Sequence, residues 1–230
     1  MRIDWGIGIA VTVGLLCAIS ALGSVGQGDG DRVGPALEPL LLDSESLNRS
    51  EAAEILGVLR YRPARAALER VLGYDEDALP RASAAEALGD LGDPRALPTL
   101  EAGLLDEDGP VRSYVADSIG RLGDPAGLRA VRRQLERETW PRARGALIGA
   151  ALRLGDSSAF ERLLALIDDG DEETKIQAYN DVNDLLVRHT PRSLLERADE
   201  LDEHLRVGPA ARLREQVRRR LAELCASVTE

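Results

Sequence analysis

The sequence repeats one phrase around an unchanged core of Leu-Gly-Asp-Pro. It reads "AEALGDLGDPRALPTL" at residues 85–100 and "ADSIGRLGDPAGLRAV" at residues 116–131. In such a core the glycine can adopt a positive φ and stop one helix, the aspartate can cap the next helix, and the proline fits its first position. The repeated core therefore predicts the turn of a helical hairpin that occurs more than once in the chain.

The same turn can be followed in both directions along the chain. Gly92-Asp93-Pro94 recurs as Gly123-Asp124-Pro125 and then as Gly155-Asp156-Ser157, while "RSEAAEILGVL" at residues 49–59 aligns with "RASAAEALGDL" at residues 81–91. This spacing predicts five units of about 30 to 33 residues between about residues 47 and 206. One hairpin cannot bury its apolar face alone, so the units must stack. We therefore predict an all-α fold, an α-solenoid of about five helical hairpins.

The N-terminal residues form a segment of their own, which we predict to be a hydrophobic helix. Residues 6–23, "GIGIAVTVGLLCAISALG", carry no charge, and their number reaches the lower end of the range that spans a bilayer. They are interpreted as a membrane anchor, as a signal peptide cut before Ser24 or Ala21, or as a buried helix. Arg2 precedes the run and acidic residues follow it, so the first reading attaches the chain to the cytoplasmic membrane with the solenoid outside the cytoplasm. Signal cleavage would instead make the protein secreted or periplasmic.

The chain ends with a basic amphipathic stretch, "GPAARLREQVRRRLAELCASV", at residues 208–228. Leu213, Val217, Leu221 and Leu224 fall on one helical face. A solenoid needs a terminal helix to cover its last apolar face, so we interpret the stretch as a capping helix rather than one that binds lipid or nucleic acid. The predicted organisation is residues 1–27 as anchor or signal with a tether that extends through "SVGQGDGDRVG", residues 28–206 as solenoid, and residues 207–230 as cap.

Residues 91–125, "LGDPRALPTLEAGLLDEDGPVRSYVADSIGRLGDP", resemble HEAT repeats of the short bacterial variety that phycobilisome lyase subunits share. The resemblance implies a ladder in which an arginine early in the first helix of a unit contacts aspartates in the turns. By position the ladder residues are Arg81, Arg112 and Arg142, with Asp75, Asp77, Asp106 and Asp108. The segment "ERETW", residues 136–140, replaces the acidic turn of the third unit, so one rung of the ladder departs from the family pattern.

Composition and motifs bear on the function class. The net charge of −11 argues against a general nucleic-acid binder, because phosphate backbones require a cationic surface. No phosphate loop, zinc motif or nucleophile elbow is found, and His189 and His204 have no ligand spacing, so we expect no catalytic, metal or cofactor residues. We expect a non-enzymatic scaffold that binds another protein. The alternative, which rests on the resemblance alone, is a bilin lyase-like enzyme or chaperone that acts on a partner protein.

The partner-binding hypothesis concerns the second helix of the third unit. Its predicted outward positions hold Arg129, Arg132 and Arg133, and Trp140 follows where other units have a polar turn. Arginine and tryptophan are enriched at binding hot spots, and second helices of stacked hairpins are expected to line the concave side. The sequence therefore predicts that an acidic partner docks at these four residues.

Overall fold

The computed structural model describes residues 27–188 and 190–228. This part of the chain is helical and contains no β-strand. The chain divides into two compact units, Met1–Thr99 and Leu100–Glu230. The apolar run at residues 6–23 and His189 lie outside the described residues.

The first unit contains four complete helices and the start of a fifth within its described part. They are α1 (Gln27–Leu37), α2 (Ser46–Val58), α3 (Arg65–Tyr74), α4 (Ala78–Leu91) and α5 (Leu97–Gly103). Short 3-10 turns at Glu38–Leu42, Arg62–Ala64 and Pro94–Ala96 connect them. The boundary between the two units falls inside α5.

The second unit continues the alternation of longer and shorter helices. Its helices are α6 (Gly109–Leu122), α7 (Leu128–Leu135), α8 (Pro141–Arg153), α9 (Ala159–Asp169), α10 (Glu172–Arg188), α11 (Arg192–Glu196), α12 (Ala198–His204) and α13 (Ala211–Val228). A 3-10 turn at Pro125–Gly127 precedes α7. The first helices of the repeats thus begin at residues 46, 78, 109, 141 and 172, which is the predicted period.

Packing between first helices holds neighbouring repeats together within each unit. In the first unit α2 packs on α4, and in the second α6 packs on α8. Small residues bring these helices close: a Cβ on Gly57 would lie 2.8 Å from the Cα of Ala87, and one on Gly120 would lie 2.9 Å from the Cα of Ala150. The helices therefore approach each other more closely than larger side chains would permit.

The repeated Gly-Asp-Pro turns have the predicted backbone. Gly92 and Gly123 have φ values of 62° and 70°, in the left-handed region that favours glycine. Asp93 and Asp124 each accept a hydrogen bond from the backbone N–H two residues later, at 3.0 Å. The capped element is a 3-10 turn rather than the α-helix itself, which begins three residues after the proline.

The predicted tether is replaced by α1 from Gln27 onward. The glycines in this segment act as packing residues: a Cβ on Gly30 would lie 2.9 Å from the carbonyl oxygen of Leu59, and one on Gly34 would overlap the ring of Tyr61. The absence of side chains at these two positions lets α1 lie directly against the end of α2. A composition typical of a turn therefore forms a helix here because the glycines face a neighbour.

The predicted localisation is wrong. No helix in residues 27–188 and 190–228 is long and apolar enough to cross a membrane. A spanning helix needs about 20 predominantly apolar residues, whereas α13, of 18 residues, carries several arginines. Residues 6–23, from which the localisation was inferred, lie outside the described residues.

The C-terminal helix packs on the last repeat. α13 contacts α10 and α12, and Val217 and Leu221 at the centre of its apolar face are buried. Its arginines are partly used for attachment: Arg218 forms an ion pair with Asp202 at 2.7 Å, and Arg220 donates to the side-chain oxygen of Asn183 at 2.8 Å. This basic face therefore holds α13 on the elements beneath it.

Candidate functional site

Arginines near the start of two first helices, Arg49 and Arg112, tie one turn to the next. In the first unit Arg49 donates from Nε and Nη2 to the two carboxylate oxygens of Asp75, at 2.7 and 2.8 Å, and from Nη2 to Asp77 at 3.0 Å. Its Nη1 donates to the backbone carbonyls of Asp43 and Ser44. One guanidinium thus closes the turn before its own helix and clamps the turn of the next repeat.

The contact between the arginine and the turn before its own helix is repeated in the next two repeats. Arg81 donates to the carbonyls of Asp75 and Glu76, and Arg112 to those of Asp106 and Glu107. In each case the acceptors precede the arginine by six and five residues. The repeated spacing shows that these arginines hold equivalent positions.

Glu138 completes the clamp in the second unit. Its side chain is only 1% exposed, and it accepts hydrogen bonds from Arg112 at 2.7 and 2.8 Å and from Gln134 at 2.9 Å. The backbone N–H groups of Thr139 and Trp140 donate to the same carboxylate. The segment "ERETW" therefore supplies its own acid, one methylene longer than aspartate, and the rung that departs from the family pattern is formed through Glu138.

The register of the ladder differs from the prediction at both ends. Arg49 is a ladder residue that sequence reasoning missed, although the alignment of residues 49–59 with 81–91 contains the signal. Arg142 is exposed, and its guanidinium lies over the ring of Tyr114 at 5.8 Å. Spacing from Glu138 places Arg144, not Arg142, at the ladder position. The prediction aligned the proline before the helix rather than the acid in the turn.

Electrostatics keep the clamp ionised. Burial opposes ionisation of Glu138, but the hydrogen bonds from Arg112, the Trp140 N–H and Gln134 outweigh it and hold the pKa of Glu138 at about 2. Asp75 has a lowered pKa because contacts with Arg49 likewise outweigh burial. These ion pairs are therefore structural contacts that remain charged across the physiological range.

The three predicted arginines of α7 differ in their surroundings. Arg132 pairs with the buried Asp156, Nε to Oδ2 at 2.7 Å, although its side chain stays 57% exposed. Arg129 and Arg133 are exposed, and neither forms an ion pair with the residues that the structure describes. Arg137, which the prediction missed, follows Arg133 by four residues and donates to Gln134 at 2.7 Å. We call Arg129, Arg133 and Arg137 the basic stripe.

A small groove lies between α7 and α9. Its volume is about 200 Å³, and its lining includes Arg132, Arg133 and Arg162. Arg162 pairs with Glu136 at 2.5 Å. Ion pairs thus neutralise two of the three cations around the groove, and Arg133 retains its charge for another contact.

Trp140 packs within the protein. A Cβ on Gly109, the first residue of α6, would lie 2.6 Å from Cδ2 of the Trp140 indole, so the ring covers this glycine. Trp140 also stands at the N-terminus of α8 and remains partly exposed. The structure places the indole against α6, whereas Arg132 and Arg133 line the groove toward α9.

Whether the protein can hold a metal ion depends on how the titratable side chains group in the described part of the chain. No group of three His, Cys, Asp or Glu side chains within residues 27–188 and 190–228 could hold a metal ion. His204 contacts Asp168 at 2.7 Å, on the partly exposed surface beside α9.

Stacked helical hairpins joined by buried arginine and carboxylate contacts define a helical-repeat protein. The chain belongs to the HEAT-repeat family, whose model matches residues 34–116 and 103–183 and so covers well over half of the sequence. No curated protein matches the sequence. A solved structure, the complex of CpcE and CpcF of phycocyanin lyase from Nostoc sp. PCC7120, contains a similar chain that is 20% identical. The alignment covers 83% of this chain and 92% of that chain, with a TM-score of 0.47.

Proposed function

We propose that this protein is a non-enzymatic HEAT-repeat scaffold that binds an acidic partner protein around Arg129, Arg132, Arg133 and Trp140. Family membership supports the general role, because stacked helical repeats present extended surfaces that bind other proteins. Arg129 and Arg133 supply the cationic contacts in this proposal. Arg132, whose side chain stays 57% exposed, and the partly exposed Trp140 complete the proposed site.

The observation that carries the proposal is the exposure of Arg129 and Arg133. They lie four residues apart on one face of α7, where side chains at this spacing are neighbours. Neither forms an ion pair with the described part of the chain, although the net charge of the protein is −11. Arginine binds carboxylates through two parallel hydrogen bonds, so the stripe suits an acidic protein surface.

The test begins with capture of partners on the immobilised full chain, followed by affinity measurements with a purified partner. Arg129→Glu/Arg133→Glu should reduce the affinity for the partner about tenfold or more. The two new carboxylates repel an acidic partner where the arginines attracted it, so association should be slower. The melting temperature should stay nearly unchanged, because both side chains are exposed. Arg132 is left intact so that its pair with Asp156 is kept.

The matched control is Arg212→Glu/Arg219→Glu, which changes two exposed arginines of α13 and alters the net charge equally. This control should retain the affinity of the unmodified chain within about twofold. If both double variants weaken binding equally, the effect is one of net charge. Unchanged affinity of the α7 variant would show that the partner binds elsewhere.

A further inference from the structure

The first unit contains an apolar groove at the end of its helical stack. It lies between the 3-10 turn Glu38–Leu42 and α3, and its volume is about 770 Å³. Pro39 and Val71 lie in its lining, and Leu42 and Tyr74 are the large apolar side chains that it leaves in water, at 79% and 88% exposed. We call it the α3 groove.

It is unusual that a protein with so few aromatic residues leaves a tyrosine exposed beside an apolar groove. The chain has four tyrosines, and Tyr74 is among the exposed large hydrophobic side chains. Leu41 and Val71 beside them are buried, so the groove has a packed apolar floor with two raised apolar edges. A floor of this kind accepts the large side chains of a bound segment.

Charge around the groove decides the kind of segment. Glu38 and Glu76 line it, and neither pairs with a cation among the described residues. The buried Arg49 is neutralised by Asp75 and Asp77. Arg70 is the remaining cation of the lining, and Asp43 adds a further carboxylate, bonded to Asn48. The rim therefore has a net negative charge.

We infer that the α3 groove binds a segment of a partner protein that presents one or two large apolar side chains flanked by lysine or arginine. The apolar anchors fill the space between Leu42 and Tyr74, and the flanking cations face Glu38 and Glu76. This site goes beyond the proposed function at α7 and has the opposite charge preference. An acidic partner of the basic stripe does not satisfy it.

The test uses a phage-displayed library of random peptides of about 12 residues, selected on the full chain. Sequences with apolar anchors next to lysine or arginine should be enriched. A synthetic peptide of the consensus sequence should bind the full chain. Its affinity for the Leu42→Ser/Tyr74→Ser variant should be about tenfold or more lower than for the unmodified chain. Glu38→Gln/Glu76→Gln should weaken it about threefold and reduce its dependence on salt.

Two controls separate this site from general effects. Val58→Ser removes another exposed apolar side chain of the first unit and should leave peptide affinity unchanged. Arg129→Glu/Arg133→Glu should also leave it unchanged, so failure of the α7 proposal and failure of this one give different results. Because Leu42 and Tyr74 are exposed, their variants should melt within about 3 °C of the unmodified chain.

The occupant is identified by replacing Tyr74 with the photo-crosslinking amino acid p-benzoylphenylalanine in the full chain. Crosslinks to the consensus peptide, mapped by mass spectrometry, support the proposal. Crosslinks to residues 1–26 of the same chain, or to a second copy, would show a different occupant and overturn it. The proposal would also be overturned if the selection enriched acidic peptides. The same holds if the selected peptides bound the Leu42→Ser/Tyr74→Ser variant as tightly as the unmodified chain.

Discussion

At the residue scale, the carboxylate of Asp181 has unfavourable surroundings. Asp181 on α10 accepts a hydrogen bond at Oδ1 from Gln177 at 2.9 Å, whereas its Oδ2 is inaccessible and has no hydrogen-bond partner among the described residues. That oxygen lies against Gly145, where a Cβ would overlap it. Burial raises the pKa of Asp181 to about 7, the Gln177 bond opposes the rise, and the charge of Asp184 adds to it.

The raised pKa predicts a specific pH dependence. The folded form of Asp181 holds its proton up to about pH 7, whereas the unfolded form releases it near pH 4, so stability falls as the pH rises between these values. Asp181→Asn removes this proton linkage. Between about pH 5 and pH 8 its melting temperature should fall less than that of the unmodified chain.

The control for this prediction is Glu172→Gln, which changes an exposed carboxylate on the same helix that is not among the charges shifting the pKa of Asp181. This variant should keep the slope of the unmodified chain when melting temperature is followed by circular dichroism. Equal slopes for Asp181→Asn and the unmodified chain would contradict the assignment.

Single residues also show how far the sequence could be read. The turn aspartates 93 and 124 were predicted from their place before proline, since a cap depends only on local backbone. The partner of Arg112 was not predicted. Glu138 lies 26 residues further along the chain, in a turn that does not match the acidic-turn pattern of the other repeats. Asp181 gave no signal at all, as its burial depends on the glycine of another helix.

At the element scale, glycine has opposite effects at two positions of the first unit. Gly57→Ala should destabilise the protein by about 1–3 kcal/mol, because its Cβ would lie 2.8 Å from the Cα of Ala87 and a backbone cannot yield easily. Gly73→Ala, with no atom within 4 Å of the added Cβ, should stabilise α3 by up to about 1 kcal/mol.

Urea unfolding of both variants tests the close approach of α2 and α4. Each substitution adds the same methyl group to a helix, so the pair controls for helix propensity. Stabilisation by both would mean that α2 and α4 are separated more widely than the structure shows.

The elements themselves were largely predictable, for a physical reason. A repeated helix needs the same stop, cap and restart each time, so its boundaries recur in the sequence and the five first helices appear at the predicted period. Helix α1 was missed because its glycines pack on Leu59 and Tyr61, a contact that local composition does not reveal. In the fifth repeat, the second helix is divided into α11 and α12, and this division likewise had no signal in the sequence.

At the scale of the whole molecule, acidic groups with opposite shifts determine where stability is greatest. Asp93, Glu138 and Asp156 have pKa values of about 2, mainly through hydrogen bonds from Arg95, Arg112 and Arg132. Such groups stabilise the fold above pH 4 to 4.5, their unfolded range, and the contribution is lost as the pH falls toward 2. Asp181 acts in the opposite direction. The melting temperature should therefore be highest near about pH 5.

Glu138 should account for much of the loss on the acid side, because its carboxylate joins Arg112, Gln134 and two backbone N–H groups. Glu138→Gln removes the charge but keeps the shape, and loss of one partner from a buried ion pair costs about 3–5 kcal/mol. The variant should be clearly less stable than the unmodified chain at about pH 7 and lose less stability than that chain on acidification, because Asp93 and Asp156 still titrate. Calorimetry should therefore show the two melting temperatures converging as the pH approaches 2.

Glu223→Gln, which alters an exposed carboxylate of α13, should follow the unmodified chain throughout. A constant gap between Glu138→Gln and the unmodified chain at every pH would show that Glu138 stabilises the repeats through packing alone, without its charge.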